Sequence, residues 1–542
     1  MRADPLGTGK GERGKHEHWR TVGLAPTVIV MTVVPGTQKQ AGALRSRRRG
    51  AVAGVVAVGA ALAAGELVAA LAGASETPLL AVGSQFVDRF AGSLKELAVA
   101  LFGTNDKAAL IVGTVVVTLV LGAAAGSLVR QAAWAVPALV LGLSLVGVAS
   151  QSADPRGSLP LAVVGAMVAN VVGLVAWRLL IRPQRAEERT AGRRDFLTVA
   201  GLVAVAAAGM AGLSRVVAAG GRAGGPPVAF PEPDSTVPLP DTSAFEAEGI
   251  SPYVTPSEEF YRIDTALVVP RVDAASWRLR IDGMVDRPWQ IDYEELLAMP
   301  SVEQPVTLQC VSNQVGGDLV DSAVWQGVPL TDLLEQVGVR AGAEQVFSTS
   351  VDGWTCGFPL AALEGERTAL VAYAMNGEPL LPEHGYPVRL VVAGLYGYVS
   401  ATKWLESIEL IGWDERDGYW VPRGWAKDGP VKLASRIDVP RAGERVGPDV
   451  VVGGVAWLPA TGVSAVEVQV DDGPWQECEL APVADDNTWV QWRLPLSGLA
   501  EGRHRARARA IDAEGNRQSD QVLPPAPDGA TGLHEREFDV VG

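Results

Sequence analysis

The chain has 542 residues, enough for several domains. Its net charge of -15 conceals a split: residues 1–225 carry 23 Lys/Arg and 12 Asp/Glu, so +11, and residues 226–542 carry 23 and 49, so -26. The acidic half would repel phosphates, which excludes nucleic acid as a partner, and three cysteines are too few and too odd in number for a disulfide framework.

Residues 1–44 fit no folded pattern. Their apolar run, Val22–Val34, is short and broken by Pro26. Two readings stand open, a disordered N-terminus or an overextended start upstream of Met31. Between 45 and 219, long and nearly uncharged runs recur: Ala51–Gly73, Ala108–Val129, Ala132–Ala149, Leu159–Trp177 and Phe196–Leu213. A helix crosses the ~30 Å hydrocarbon core with ~20 apolar residues. Such runs rarely repeat in soluble domains, so the spacing predicts a multi-span α-helical membrane region of about five helices.

Arg45, Arg47, Arg48 and Arg49 precede the first run, and Arg130 follows the second. Arg178, Arg182, Arg185, Arg189, Arg193 and Arg194 lie between the fourth and fifth. The positive-inside bias then puts the N-terminus in the cytoplasm. Five crossings put the acidic half on the extracytoplasmic side of the cytoplasmic membrane. Arg193-Arg194-Asp195-Phe196-Leu197 looks like a twin-arginine-like signal; a plain basic flank is the competing reading, and cleavage or anchoring stays open. Glu66 is the one acid inside a run, and its place toward the outer end predicts contact with water. The runs hold no histidine and the chain has no Cys-x-x-Cys-His, so no haem is predicted. Electrons would pass to an external partner of unknown identity or to a diffusing acceptor.

Gly220–Thr242 is rich in Gly and Pro and reads as a flexible tether, within a linker over 220–250. Residues 251–428 then mix element types. Trp277–Ile281 alternates as a strand, Asp292 caps a short helix to Met299, and Val306–Leu308 is a strand ending near Cys310. Pro329–Val337 reads as a helix and Val388–Val392 as a buried strand, which makes the unit α+β. From 429 to 542 the texture is short alternating strands, Val466–Val470, Trp489–Leu494 and His504–Ile511, with turns such as Asp512–Asn516. That regularity predicts an immunoglobulin-like β-sandwich.

Several short motifs follow one another in the acidic half. Thr307-Leu308-Gln309-Cys310-Val311-Ser312-Asn313 is followed by Trp325-Gln326-Gly327-Val328-Pro329-Leu330. Then come His384-Gly385-Tyr386-Pro387-Val388-Arg389, Gly394, Gly397 and Lys403-Trp404. A lone cysteine is more often a small buried hydrophobe, and Cys478 and Cys356 are read that way, although Cys356 lies close in sequence to Asp352. Jointly and in this order, over roughly 255–540, the motifs resemble the sulfite oxidase family of molybdopterin-dependent oxidoreductases, in its bacterial membrane-anchored form.

The resemblance implies a molybdenum-molybdopterin cofactor, with the Cys310 thiolate as metal ligand and catalytic residue. It implies cofactor contacts from Tyr261, Arg262, Asp264, Asp352, His384, Ser400 and Thr402, and a phosphate held by Arg389 and Lys403. It also implies a homodimer formed through the C-terminal domain. The chain departs from animal and plant sulfite oxidases, which place one arginine soon after the cysteine and another early in the sandwich. Gln314-Val315-Gly316-Gly317 and Val455–Gly462 supply neither, so the cations that would compensate a dianion are missing. The expected activity is oxygen-atom transfer on a small S- or N-containing substrate. Sulfite oxidation and reduction of methionine sulfoxide in proteins are the alternatives within the class. A cofactor-free, membrane-tethered binding or scaffold protein is the non-enzyme alternative.

Overall fold

A computed structural model describes residues 35–72, 77–90, 106–153, 158–181, 191–220, 230–365 and 367–542. Helix α1 (Pro35–Leu71) is followed by α2 (Pro78–Phe90), α3 (Asp106–Ser127), α4 (Ala135–Ala153), α5 (Leu159–Ile181) and α6 (Ala191–Gly220). Five of these, all but α2, are long and apolar enough to cross a membrane. Their outward faces are apolar, with Val116, Leu145, Val171 and Val205 all more than half exposed. Helices α1 and α3 cross with almost no side chain between them. A Cβ on Gly50 would meet the Gly126 carbonyl oxygen, and one on Gly54 the Gly122 carbonyl oxygen, in each case far inside van der Waals contact. Small residues four apart on both helices permit that approach, the packing expected where burial in water gives no drive.

Three expectations change here. Residues 35–44, expected to lack structure, are helical and continuous with the first apolar run; residues 1–34, with the Val22–Val34 run, lie outside the described residues, as do Arg182, Arg185 and Arg189. Helix α2 was not expected, because its apolar stretch Leu79–Val82 is short and Ser84, Gln85, Asp88 and Arg89 keep it from forming a long run. Glu66 does not end in water. Its carboxylate accepts the Leu79 amide at 2.8 Å and so caps the first turn of α2.

Nor is the tether a tether along its whole length. Residues from Phe230 onward belong to the acidic half. Strand β1 (Ser235–Thr236) pairs in parallel with Val302–Glu303, Phe230 stacks on Tyr373 at 5.4 Å, and Phe245 and Ile250 enter the core. The Pro-rich composition reflects an edge strand that needs few amide donors. The Gly-rich residues 221–229 lie outside the described residues.

The strands that follow are β2 (Arg278–Gly283), β3 (Trp289–Asp292), β4 (Val302–Gln309), β5 (Val320–Pro329), β6 (Gln345–Ser350), β7 (Thr355–Pro359), β8 (Ala369–Met375), β9 (Glu378–Pro379), β10 (Arg389–Val392) and β11 (Leu405–Ile411). One sheet runs β1-β4-β5-β8-β10 with β9 beside β8, and the other runs β3-β2-β11-β6-β7. Short helices α7 (Ser243–Glu246), α8 (Tyr293–Leu297), α9 (Leu330–Val337) and α10 (Gly397–Ser400) complete the unit. The Asp292 cap is present, with Glu295 returning a bond to the Asp292 amide, a reciprocal capping box. Leu330, Leu333, Leu334 and Val337 sit on one face of α9 and are buried.

Nine further strands span Ala434–Val540 and form two sheets that share one apolar core. Alternation drives this region. In Gly502–Asp512 the alanines at 506, 508 and 510 point inward, and the arginines between them point out. This β-rich unit leans on β4. Trp457 donates its indole N–H to Gln309 Oε1 at 2.8 Å, and the Trp489 amide donates to Thr307 Oγ1 at 2.8 Å. The residues just before Cys310 are thereby fixed from two sides.

Candidate active site

Cys310 leaves the end of β4 with its amide donating to the Leu319 carbonyl at 3.0 Å. Its own carbonyl accepts from the Asn313 amide at 3.0 Å, and the Asn313 side chain accepts from the Leu319 amide at 3.0 Å. These bonds close the 310–319 loop on itself. The thiol is buried and lies 2.9 Å from the Ser312 hydroxyl. The far side of the loop rests on His534. Gly316 has φ +73°, and a Cβ there would sit 2.2 Å from the His534 ring, so only glycine fits.

His384 and Arg389 approach from the other side. His384 Nε2 lies 2.8 Å from the Ser257 carbonyl. A carbonyl only accepts, so Nε2 carries the proton and Nδ1 is left as an acceptor. Nδ1 is buried and has no hydrogen-bond partner among the described residues. Burial, then the neighbouring Lys403 and Arg389, push this histidine down to about 4, so it is neutral at pH 7. Arg389 is buried beneath the Trp325 ring, 4.9 Å from its centroid. Its guanidinium donates to the His384 carbonyl at 3.1 Å, and no carboxylate pairs with it among the described residues. Burial pulls it down to about 10 while Tyr261 opposes that shift. Tyr261 feels the charges of both Cys310 and Arg389, which places all three at one locus.

Lys403 packs against Gly385, which has φ +109° and where an added Cβ would sit 3.0 Å from the Lys403 Cα. The ammonium donates to the Glu383 carbonyl at 2.9 Å and pairs with Asp264 at 3.4 Å. Burial brings Lys403 down to about 8, against the pull of Asp264. Asp264 is a hub of cations. Burial would raise it, but Lys403, Lys107 and Arg262 hold it well below the ordinary carboxylate range.

The structure therefore brings together Tyr261, Cys310, His384, Arg389 and Lys403. Asp264 and Arg262 are spent on each other and on neighbouring lysines instead of standing open. Asp352 accepts the Trp354 amide at 3.0 Å and shapes its own turn. Ser400 bonds back to the Tyr396 carbonyl at 3.1 Å, and Thr402 meets Ser348 at 2.7 Å and Cys356 at 3.1 Å. Cys356, read as structural, is buried with its thiol pushed up to about 11 by burial, and so is inert. Cys478 is likewise buried and unpaired.

Sequence reasoning missed four contributors. Asp321, raised to about 6 by burial, accepts the Tyr261 amide at 2.7 Å and fixes that segment. Trp325 roofs Arg389. Lys107, from the start of α3, reaches Asp264 at 2.6 Å. Arg436 reaches the Gly317 carbonyl at 3.2 Å from a strand earlier than Val455–Gly462, where a cation had been sought. Trp325 opens one of the short motifs, but its role over Arg389 was not legible there; no local pattern marks the other three, since each meets the site only through long-range folding.

The residues present fit a phosphate-bearing pterin that carries its own sulfur donors. Arg389, with no carboxylate partner among the described residues, and a buried Lys403 suit a phosphate, and the His384 Nδ1 suits a ring N–H. Among the described residues no three metal-ligating side chains converge, so a metal at Cys310 would need a ligand set brought by the cofactor.

His534 offers a check on this packing. Its Nδ1 accepts the Ile437 amide at 2.9 Å, and burial, then Arg536 and Arg436, push it down to about 4. An unfolded histidine titrates near ~6.5. Between these values the unfolded chain binds the extra proton, so stability is full above pH 6.5 and falls as the pH drops toward 4. Melting curves taken across that window should show the decline, and His534→Gln should make it shallower. An unchanged slope would mean that the ring is not held neutral.

Residues 266–420 match the oxidoreductase molybdopterin binding domain. The chain is 39% identical over 153 residues to the uncharacterized oxidoreductase YuiH of Bacillus subtilis (strain 168), covering 28% of this chain and 74% of that protein. It is 31% identical over 207 residues to the sulfite oxidase of Arabidopsis thaliana, covering 32% of this chain and 52% of that enzyme. With the sulfite oxidase of Gallus gallus it shares 29% over 321 residues, 50% of this chain and 69% of that enzyme. Among solved structures, the sulfane dehydrogenase SoxCD from Paracoccus pantotrophus overlaps at a TM-score of 0.47 with 19% identity, covering 54% of this chain and 85% of that one. The matched domain and the sequence relatives assign the family: the chain is an oxidoreductase of the molybdopterin-dependent sulfite oxidase family.

Proposed function

We propose that the chain is a membrane-embedded molybdopterin oxidoreductase that reduces a small, neutral S-oxide or N-oxide outside the cytoplasmic membrane. The molybdenum-pterin group supplies two-electron oxygen-atom transfer when bound. Cys310, as thiolate, would be the protein's ligand to the metal. Arg389 and Lys403 would hold the phosphate, and His384 Nδ1 would accept from the pterin ring. The bonds that close the 310–319 loop would keep the thiolate in place, and the Trp457 indole holds the neighbouring Gln309. The two-sheet C-terminal unit supports reading it as an immunoglobulin-like sandwich over 429–542, with its packing on β4 as one role.

The observation that carries the substrate class is that Arg436, which reaches the loop after Cys310, and Arg262, beside Tyr261, are each already paired with a carboxylate, while Arg389 is assigned to the phosphate. Arg436 is paired with Asp438 at 2.7 Å, and Arg262 with Asp264 at 3.0 Å. Asp318 and Asp321 add negative charge to the same loop. A sulfite dianion would leave water without a free partner, which is costly. Steady-state assays of metal-loaded protein should show turnover of neutral S-oxides or N-oxides and at most slow oxidation of sulfite. Rapid sulfite turnover with a micromolar KM would overturn the assignment.

The side of the membrane rests on the loop arginines. Protease added to intact cells should cut between 230 and 542. Protection of that half, with cleavage near the N-terminus, would reverse the orientation.

A further inference from the structure

The helical bundle holds a half-open recess of about 120 Å³, walled by α1 to α5. That volume is close to what one six-membered ring fills, an apolar cavity of roughly 150 Å³ being enough for benzene. Its wall is mostly apolar, and Thr118, Ser144 and Gln151 place polar groups in it. An acyl chain has no use for those groups, whereas a ring carrying two carbonyls does.

The position of the recess is more informative than its size. Leu79 and Val82 of α2 line it. On the same helix, Gly83 abuts the catalytic half so closely that a Cβ would meet Leu267 Cδ1 at 2.8 Å. One helix, ~10 Å thick, thus separates the recess from the 264–267 segment. Lys107 crosses the same boundary, donating to the Asp264 carbonyl at 3.0 Å and the Ala266 carbonyl at 2.8 Å. Asp264 in turn pairs with Lys403. Thr114, another lining residue, lies seven residues along α3 from Lys107, about 10 Å. The recess therefore opens beneath the side of the catalytic unit that carries the phosphate-binding lysine.

The spans contain neither histidine nor cysteine. Without the imidazole and thiolate ligands that commonly hold haem and iron-sulfur clusters, the bundle favours a dissociable organic ring as its redox carrier.

We infer that the recess binds the ring of an isoprenoid quinone and that the quinol form supplies electrons to the catalytic unit. The second half of this inference rests on the function proposed above. Quinol gives up two electrons and two protons and becomes quinone. The S-oxide takes up two electrons and two protons, its S–O bond breaks, and the products are sulfide and water.

The test uses the full chain in quinone-free lipid nanodiscs, with decylubiquinone as the probe. Calorimetric titration should find one saturable site per chain. Ala166→Trp, which fills the recess, should weaken binding at least tenfold. The milder pair Thr118→Val with Ser144→Ala should weaken it roughly three- to tenfold by removing hydrogen-bond donors. Molybdenum content and S-oxide reduction driven by a reduced viologen dye should stay at wild-type levels in both variants, while quinol-driven reduction falls with binding. Absence of saturable binding, equal affinity in both variants, or equal displacement by a long-chain alcohol would overturn the quinone site. Intact binding in a protein inactive with dye as well would leave the site standing and overturn the proposed catalysis instead.

Discussion

Cys310→Ser is expected to lower turnover by at least ~100-fold in molybdenum-replete protein while leaving the fold intact. Changes around a metal's ligands alone typically cost 10–100-fold, and this change replaces the proposed ligand. A serine hydroxyl stays protonated at neutral pH and is a hard donor where the metal takes soft sulfur. The fold should survive, because the amide and carbonyl of residue 310 carry the loop's hydrogen bonds and a serine hydroxyl can keep the contact with the Ser312 hydroxyl, now at 2.9 Å. Circular dichroism, metal analysis and turnover on one preparation separate these effects. Activity above a tenth of wild type would remove Cys310 from the metal.

Arg389→Met should act with opposite signs on cofactor retention and on stability. The guanidinium is buried and no carboxylate pairs with it among the described residues, so in the cofactor-free protein its charge is held at a cost. Replacement of buried charge by an apolar chain of similar volume is often neutral or stabilising by about 1–4 kcal/mol. The cofactor-free variant should therefore melt no lower than the parent, and its thioether can still lie under Trp325. Pterin and molybdenum recovered after purification should nevertheless fall at least tenfold. Arg389→Lys should retain part of the charge but lose the planar fork. A variant that keeps its cofactor, or that simply unfolds, would show that Arg389 is a structural cation.

The apolar runs, the Asp292 cap and the alternating strands of the C-terminal unit were legible because each is written within a dozen residues. Helix α2 was not, since its signal is a face and not a run. Composition misled at 230–242, where prolines that suggest a loose chain in fact border an edge strand. Within the site, Cys310, His384 and Arg389 were picked out because their motifs resemble those of the sulfite oxidase family. What each one does depends on partners 60 to 160 residues away, such as Asp321 beneath Tyr261 or Lys107 on Asp264. A residue's type and position leave open whether its charge is already matched, and that decided how Arg262, Asp264 and Arg436 are read.

The pairing of Ser235–Thr236 with β4 also sets a distance. The chain is bound into the bundle as far as Gly220 and into the catalytic sheet from Phe230 onward. Ten steps of fully extended chain reach at most ~35 Å. If the contacts at Lys107 and Gly83 let go, the catalytic half would still start within that reach of the end of α6. Its encounters are thus confined to the neighbourhood of the bundle, and a reactant bound for Cys310 must come to the enzyme, which cannot go out to meet it.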